Sequence, residues 1–329
     1  MFDDAYRLIA SDMTAMEALM RQTLSHADPF VDEIVQYSLQ IGGKRLRPAL
    51  VFLTGKVVGD ITDQHVQTAA ALEFIHTATL VHDDILDGAT IRRHLPTFNV
   101  RWNPQIGVLA GDLLLTKALE LVMQTDEMYG IRVLAEACKL TCEGELRQIG
   151  AAGRFDMSAE EYLQIIAGKT APLLACSAQL GAFYALTGHV SAPPPVIERF
   201  RCFGQKLGLA FQIIDDVLDL VGESDTTGKT LRTDLIHCKP TLPLILYLQR
   251  ATEEEQRDML VRIRRDDFDE QSADWVVNRL NESGAIDSAR KTAHQYIGEA
   301  TAILTEIEGD TVAKQALGEL AQFIVRRKK

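Results

Sequence analysis

Apolar residues recur with a helical period along nearly the whole chain, and alternating five-residue apolar strands between turns are absent. The clearest run is Asp63 to Asp87, rich in Ala, Leu, Ile and Phe and free of Pro and Gly until Gly88. It predicts one long helix, with Gly88 as its C-terminal stop. Asp28-Pro29 reads as an N-cap followed by a proline in the first turn. Ser158 and Glu161 form a capping-box pattern before YLQIIAGKTAPLLACSAQLGAF, an apolar stretch that Lys169-Thr170 interrupts. Pro193, Pro194 and Pro195 predict a loop, as do Asn281-Glu282-Ser283-Gly284. From about Thr252 onward both charge signs mix, which predicts solvated helix faces. These patterns predict an all-α fold of long helices.

Composition narrows the picture. The 329 residues are 47% apolar and 24% charged, with no Pro-rich or Gly/Ser-rich linker, so one domain spanning residues 1–329 is expected. A net charge of −12 argues against nucleic-acid binding but leaves room for a local basic pocket and a small anionic substrate. The first residues lack the basic start and apolar core of a signal peptide. No apolar run reaches the roughly 18 residues of a spanning helix. Five scattered cysteines without a CxxC pair suit reduced thiols and a cytoplasmic location.

Candidate chemistry starts at LVHDDILDGATIRRHL. On one helix Asp83 and Asp87 share a face, with Asp84 rotated away by about a quarter turn. Carboxylates at a helix C-terminus face the negative end of the dipole and need a cation. Arg92 and Arg93 can supply it as a structural ion pair; a divalent metal, for which Asp83 and Asp87 are suitable ligands, is the alternative. His76 lies two turns before Asp83 on nearly the same face. The pattern returns about 130 residues later in LAFQIIDDVLDLVG, with Asp215, Asp216 and Asp219 and with Gln212 one turn earlier. Two DDxxD clusters in apolar helices are hard to read as solvated faces, because each uncompensated buried charge costs several kcal/mol. Facing each other across a cavity, they would hold Mg²⁺ ions and a diphosphate. Cations accompany them: Lys44, Arg45 and Arg47 behind two glycines in GGKRLRP, then Lys169, Lys229 and Lys239. The GKT triplets at Gly168 and Gly228 are not P-loops, since the upstream glycine and strand are missing.

From about Gly42 to Pro243, the blocks GGKRLRP, EFIHTATLVHDDILD, AGDLLL, GKTAPLL, FQIIDDVLD and KPTLP resemble, in order and spacing, the trans-polyprenyl diphosphate synthases. The resemblance implies helices around a central cavity, a homodimer, and condensation of isopentenyl diphosphate with an allylic diphosphate. It implies Mg²⁺, three ions per active site, held by Asp83, Asp87 and Asp215, with Asp84, Asp216 and Asp219 behind them. Arg92, Lys169 and Lys229 would grip the allylic diphosphate, with Lys239 beside them. Lys44, Arg47, His76 and Arg93 would bind isopentenyl diphosphate, while Thr170 and Gln212 would stabilise the allylic cation. The chain departs from the family at His94, Arg232 and Cys238, each standing where Gly is usual.

By the same resemblance, residues one turn before Asp83 act as a floor for the growing chain. Ala78 and Thr79 are small there, and Phe74 and Ile75 come further down. A C30–C50 product, such as a quinone side-chain precursor, is expected, with a C15–C20 product as the alternative. The basic tail from Arg326 to Lys329 is a solvated end, approaches the diphosphate pocket, or touches lipid transiently during product release. A terpene cyclase would not need GGKRLRP or His76. A non-catalytic subunit of a heteromeric synthase would be expected to lose one acidic cluster, and both are intact here.

Overall fold

The computed structural model describes residues 2–125, 127–186, 195–222, 231–264 and 268–327. Lys229, Pro193, Pro194, Lys328 and Lys329 therefore lie outside the described residues. Within them the chain forms seventeen helices and a single two-residue antiparallel ladder. The first half comprises α1 (Phe2–Leu8), α2 (Ala10–Leu24), α3 (Pro29–Gln40), α4 (Leu46–Val58) and α5 (Asp63–Leu86). The ladder β1 (Ile91–Arg92) and β2 (Leu95–Pro96) follows, then α6 (Phe98–Arg101), α7 (Pro104–Met123) and α8 (Met128–Ala151). The second half contains α9 (Ala159–Lys169), α10 (Ala171–Leu186), α11 (Pro195–Val221), α12 (Thr233–Ile236) and α13 (Leu242–Leu248). It ends with α14 (Glu253–Ile263), α15 (Glu270–Glu282), α16 (Ala285–Thr305) and α17 (Thr311–Arg326). The all-α expectation holds.

Local signals explain the boundaries. Asp28 accepts hydrogen bonds from the Phe30 and Val31 amides at 2.9 and 3.1 Å, with Pro29 opening α3. Ser158 and Glu161 close a reciprocal capping box on α9 at 3.1 and 2.9 Å. Helix α5 stops with Asp87 at its cap and Gly88 in the left-handed region at φ +60°. Two predicted loops are shorter than expected. Pro195 already belongs to α11, because proline's fixed φ suits a first helical position. Asn281 and Glu282 remain in α15, and only Ser283 and left-handed Gly284 turn the chain.

Helix α10 is buried almost throughout and is embraced by α4, α5, α8, α9 and α11. Two glycines fix its approach. A Cβ on Gly208 of α11 would lie 2.4 Å from Ala171 Cα, and one on Gly144 of α8 would lie 2.2 Å from the Lys169 amide nitrogen. The break between α9 and α10, at Lys169-Thr170, is thus clamped from both sides by bare backbone. One continuous apolar core runs from Ala5 to Val325, while the charged residues of α14 face outward, as the mixed charges predicted. All five cysteines are free thiols. Among the described residues no helix is long and apolar enough to cross a membrane.

Candidate active site

The two acidic clusters end their helices at the same region of the molecule but are dressed differently. On α5, Asp84 is buried and receives Arg92 Nε and Nη2 at 2.8 and 2.7 Å. Burial raises its carboxyl, and Arg92 opposes the shift. The structural ion pair weighed for the arginine pair is therefore real for Arg92. Arg93 instead donates to the Ile41 carbonyl at 2.5 Å. Asp83 is half-buried and pushed up to about 6 by burial, with Lys169 pulling it down and Glu145 and Asp87 pushing it up. Lys239 donates to Asp87 at 2.9 Å.

On α11, Asp216 is buried and takes its hydrogen bonds from neutral groups, Tyr162 Oη at 2.6 Å and Gln212 Nε2 at 2.7 Å. Burial, then Asp234, pushes its carboxyl up to about 7. Asp219 accepts from the Thr233 hydroxyl and the Asp234 amide, both at 3.2 Å, and so tethers the start of α12. Asp215 is met at 3.3 Å by Arg327, which also donates to the Phe211 carbonyl and stacks 3.9 Å over the Phe211 ring. The C-terminal tail thus turns into the site rather than into solvent at Arg327.

A cavity of about 400 Å³ opens between α4, α5, α11 and α17. Six basic side chains line it (Lys44, Arg45, Arg47, Arg92, Arg93 and Arg327) against two acidic ones, Glu73 and Asp215. His76 completes the wall. Burial and the neighbouring Arg47 and Arg93 hold His76 well below its ordinary value, so it is neutral at pH 7. Arg47 is lowered to about 10 by burial and remains cationic. The Nε atoms of Arg47 and Arg327 are buried without an acceptor among the described residues. A buried charged donor left so is costly, and an anionic ligand would satisfy it.

The structure thus brings Lys44, Arg47, His76, Arg92 and Arg93 to one cavity together with Asp215. Lys169 is held at 2.6 Å by both Glu145 and Gln148, close enough to Asp83 to depress its carboxyl. Thr170 donates to Gln212 Oε1 at 2.5 Å. Phe74, Ile75 and Ala78 are buried in the core, and the half-buried Thr79 bonds back to the His76 carbonyl at 2.8 Å. The glycines of GGKRLRP make room for two guanidinium groups, and Gly43 itself lines the cavity. A Cβ on Gly42 would meet the Arg45 guanidinium at 2.3 Å, and one on Gly43 would meet Arg93 at 2.1 Å. Sequence reading missed Glu73, which pairs with Arg45 at 2.5 Å, although it sits one turn before His76 on the same helix. Tyr162, two turns before Lys169, was missed too.

Among the described residues, no three carboxylate, imidazole or thiolate groups converge closely enough to hold a metal ion by themselves. The donors nevertheless suit Mg²⁺, a hard cation that takes one or two carboxylates and completes its shell with phosphate oxygens and water. Basic side chains from distant parts of the chain, Lys239 and Arg327, stand against the outward carboxylates Asp87 and Asp215. Burial raises the Asp83 carboxyl against the pull of Lys169, and a bound cation would oppose that shift further.

The sequence profile of the Polyprenyl synthetase family matches residues 28–280. The chain belongs to that family. It is 36% identical to the all-trans-nonaprenyl-diphosphate synthase (geranyl-diphosphate specific) of Rhodobacter capsulatus, over 97% of this chain and 96% of that one. It is 32% identical to a short chain isoprenyl diphosphate synthase of Methanothermobacter thermautotrophicus, over 99% and 95%. Among solved structures, a polyprenyl synthase from Caulobacter crescentus complexed with calcium and isoprenyl diphosphate superposes with a TM-score of 0.93. That match has 34% identity and covers 100% of this chain and 98% of that one. The protein is therefore a prenyltransferase of the trans-polyprenyl diphosphate synthase family, a family that takes isoprenyl diphosphates as substrates and depends on Mg²⁺.

The three departures from the synthase pattern share one geometry. His94, Arg232 and Cys238 all adopt left-handed backbone, at φ 64°, 62° and 52°. Glycine tolerates that region without penalty, whereas other residues pay about 1–2 kcal/mol. Neighbouring contacts hold two of them in place. Arg232 reaches Asp274 at 2.6 Å, and the Cys238 carbonyl accepts from the Gly153 amide at 2.8 Å.

Proposed function

We propose that this synthase condenses isopentenyl diphosphate with an allylic diphosphate to give an all-trans C30–C50 product, a precursor of quinone side chains. The observation that carries the reading is the cavity with six basic side chains and two unsatisfied guanidinium Nε atoms, set beside the two acidic clusters. Lys44, Arg47, Arg93 and neutral His76 bind isopentenyl diphosphate there. Arg92, Lys169, Lys229 and Lys239 bind the allylic diphosphate. Asp83, Asp87 and Asp215 hold the Mg²⁺ ions, three per site, with Asp84, Asp216 and Asp219 behind them. Bound Mg²⁺ supplies the positive charge that stabilises the departing diphosphate. The allylic C1–O bond breaks, and the diphosphate leaves with the electron pair. The double bond of isopentenyl diphosphate closes the new C–C bond, and a proton lost to the released diphosphate restores an alkene. Thr170 and Gln212 present oxygen dipoles to the cation.

The long product is supported by the small Ala78 and Thr79 one turn before Asp83. It is supported too by the 36% identity to a nonaprenyl synthase. A homodimer is supported by the apolar side chains that α7 and α8 expose, among them Leu109, Met123 and Leu146. The test supplies the protein with Mg²⁺, farnesyl diphosphate and labelled isopentenyl diphosphate and reads product length. A ladder ending between C30 and C50 is expected. A stop at C20 or below leaves the enzyme but makes the buried Phe74 the floor, and no incorporation with any allylic primer overturns the reading.

A further inference from the structure

Behind the proposed catalytic pair Thr170 and Gln212 lies a chain of hydrogen bonds with a fixed direction. It starts from Asp216, whose two oxygens both accept, one from Tyr162 and one from Gln212. Gln212 must therefore turn its amide nitrogen to Asp216, 2.7 Å away, because the opposite flip would set two oxygens against each other. That leaves Gln212 Oε1 facing Thr170 at 2.5 Å, and the Thr170 hydroxyl must donate to it. With its proton committed, Thr170 Oγ1 has only lone pairs to offer. The other oxygen of Asp216 is taken at 2.6 Å by Tyr162, a phenol 2% exposed on α9. Tyr162 is not itself a lining residue of the cavity.

We propose that Tyr162 is a positioning residue. Through Asp216 and Gln212 it fixes the direction of this relay, so that Thr170 turns lone pairs, not a proton, toward the allylic cation. A proton there would repel the developing positive charge, and a lone pair stabilises it. Tyr162 anchors the acceptor end: its hydroxyl locks the Asp216 carboxylate in the rotamer that Gln212 needs. The capping box at Ser158 and Glu161 and the clamp of Gly144 against Lys169 hold α9 at the distance this requires. The inference rests on the roles given above to Thr170 and Gln212.

Tyr162→Phe removes only the hydroxyl. With Mg²⁺, farnesyl diphosphate and isopentenyl diphosphate, kcat is expected to fall about tenfold, the worth of one hydrogen bond to a charged acceptor. Both KM values should stay within about twofold, and calorimetric binding of Mg²⁺ with inorganic diphosphate should change no more than that. The relay adds a stricter demand. In a Thr170→Val background, which has no hydroxyl to orient, Tyr162→Phe should cost nothing further. In Thr170→Ser the tenfold loss should return. Equal losses in the Val and Ser backgrounds, or a lowered melting temperature with kcat unchanged, overturn the proposal. Wild-type protein without turnover on these substrates overturns the proposed function instead, so the two failures are told apart.

Discussion

The clusters DDILD on α5 and DDVLD on α11 are nearly the same five letters, yet their middle aspartates live in opposite electrostatic worlds. Asp84 is neutralised by a guanidinium held at 2.7–2.8 Å. Asp216, also buried, is solvated by a phenol and an amide, and among the described residues no cation pairs with it at hydrogen-bond distance. One side spends its compensating charge within the fold. The other is met by neutral donors among the described residues, and burial, then Asp234, pushes its carboxyl up to about 7. A repeated motif therefore does not imply a repeated role. The α5 copy carries its own counter-ion, while the α11 copy is organised as the end of a directional relay.

Neutralising each middle aspartate in turn is the harshest way to break this comparison. Asp84→Asn leaves the half-buried Arg92 without its counter-charge, and is expected to cost about 2–3 kcal/mol in urea unfolding. Asp216→Asn should cost about 1 kcal/mol or less, since the phenol proton can rotate away and the phenol oxygen accept from the new amide while Gln212 still donates. Equal costs would show that the two environments differ in geometry only.

Acid titration sharpens the contrast once a shared background is set aside. His65 near the start of α5 is fully buried and held down to about 4, chiefly by burial. Its Nδ1 accepts from the Thr62 amide at 3.0 Å and its Nε2 faces the Gly181 carbonyl at 2.9 Å, so the folded state wants the neutral ring. The unfolded ring binds its proton near pH 6.5. Stability from this group is thus complete above pH 6.5 and is lost as the pH falls toward 4, by roughly 3 kcal/mol in all. In His65→Gln the fall in unfolding free energy between pH 7.5 and 4.5 should shrink by about 2.5 kcal/mol of that total. An unchanged slope would place the acid sensitivity in the carboxylates.

The smallest expected effects concern the segments that bring basic groups to each cluster. His94→Gly beside the arginine pair and Cys238→Gly beside Lys239 each relieve a left-handed residue. Each should raise stability by about 0.5–1 kcal/mol after the entropy that glycine adds to the unfolded chain. Thermal melting checks this, and a loss of stability would mean that the side chains contribute more than the backbone strain removes.

Much of the site was legible before folding, for definable reasons. The Asp28-Pro29, Ser158–Glu161 and Asp87-Gly88 signals act within four residues, so a reader of the chain sees both partners at once. The acidic clusters were legible because carboxylates in an apolar helix demand an explanation. Arg327 was one of three open readings of a basic tail. Glu73 and Tyr162 were invisible because a glutamate and a tyrosine on helical faces look ordinary until their partners arrive.

By itself the sequence determined the helices, their caps and the kind of chemistry, because those depend on neighbours along the chain and on side-chain type. Which cation faces which carboxylate was decided only by the tertiary structure. Lys239 meets Asp87 across 152 positions, and Arg327 meets Asp215 across 112. Coulomb energy falls with distance in space, and distance in space between such residues is set by how α5, α11 and α17 pack, not by any local pattern.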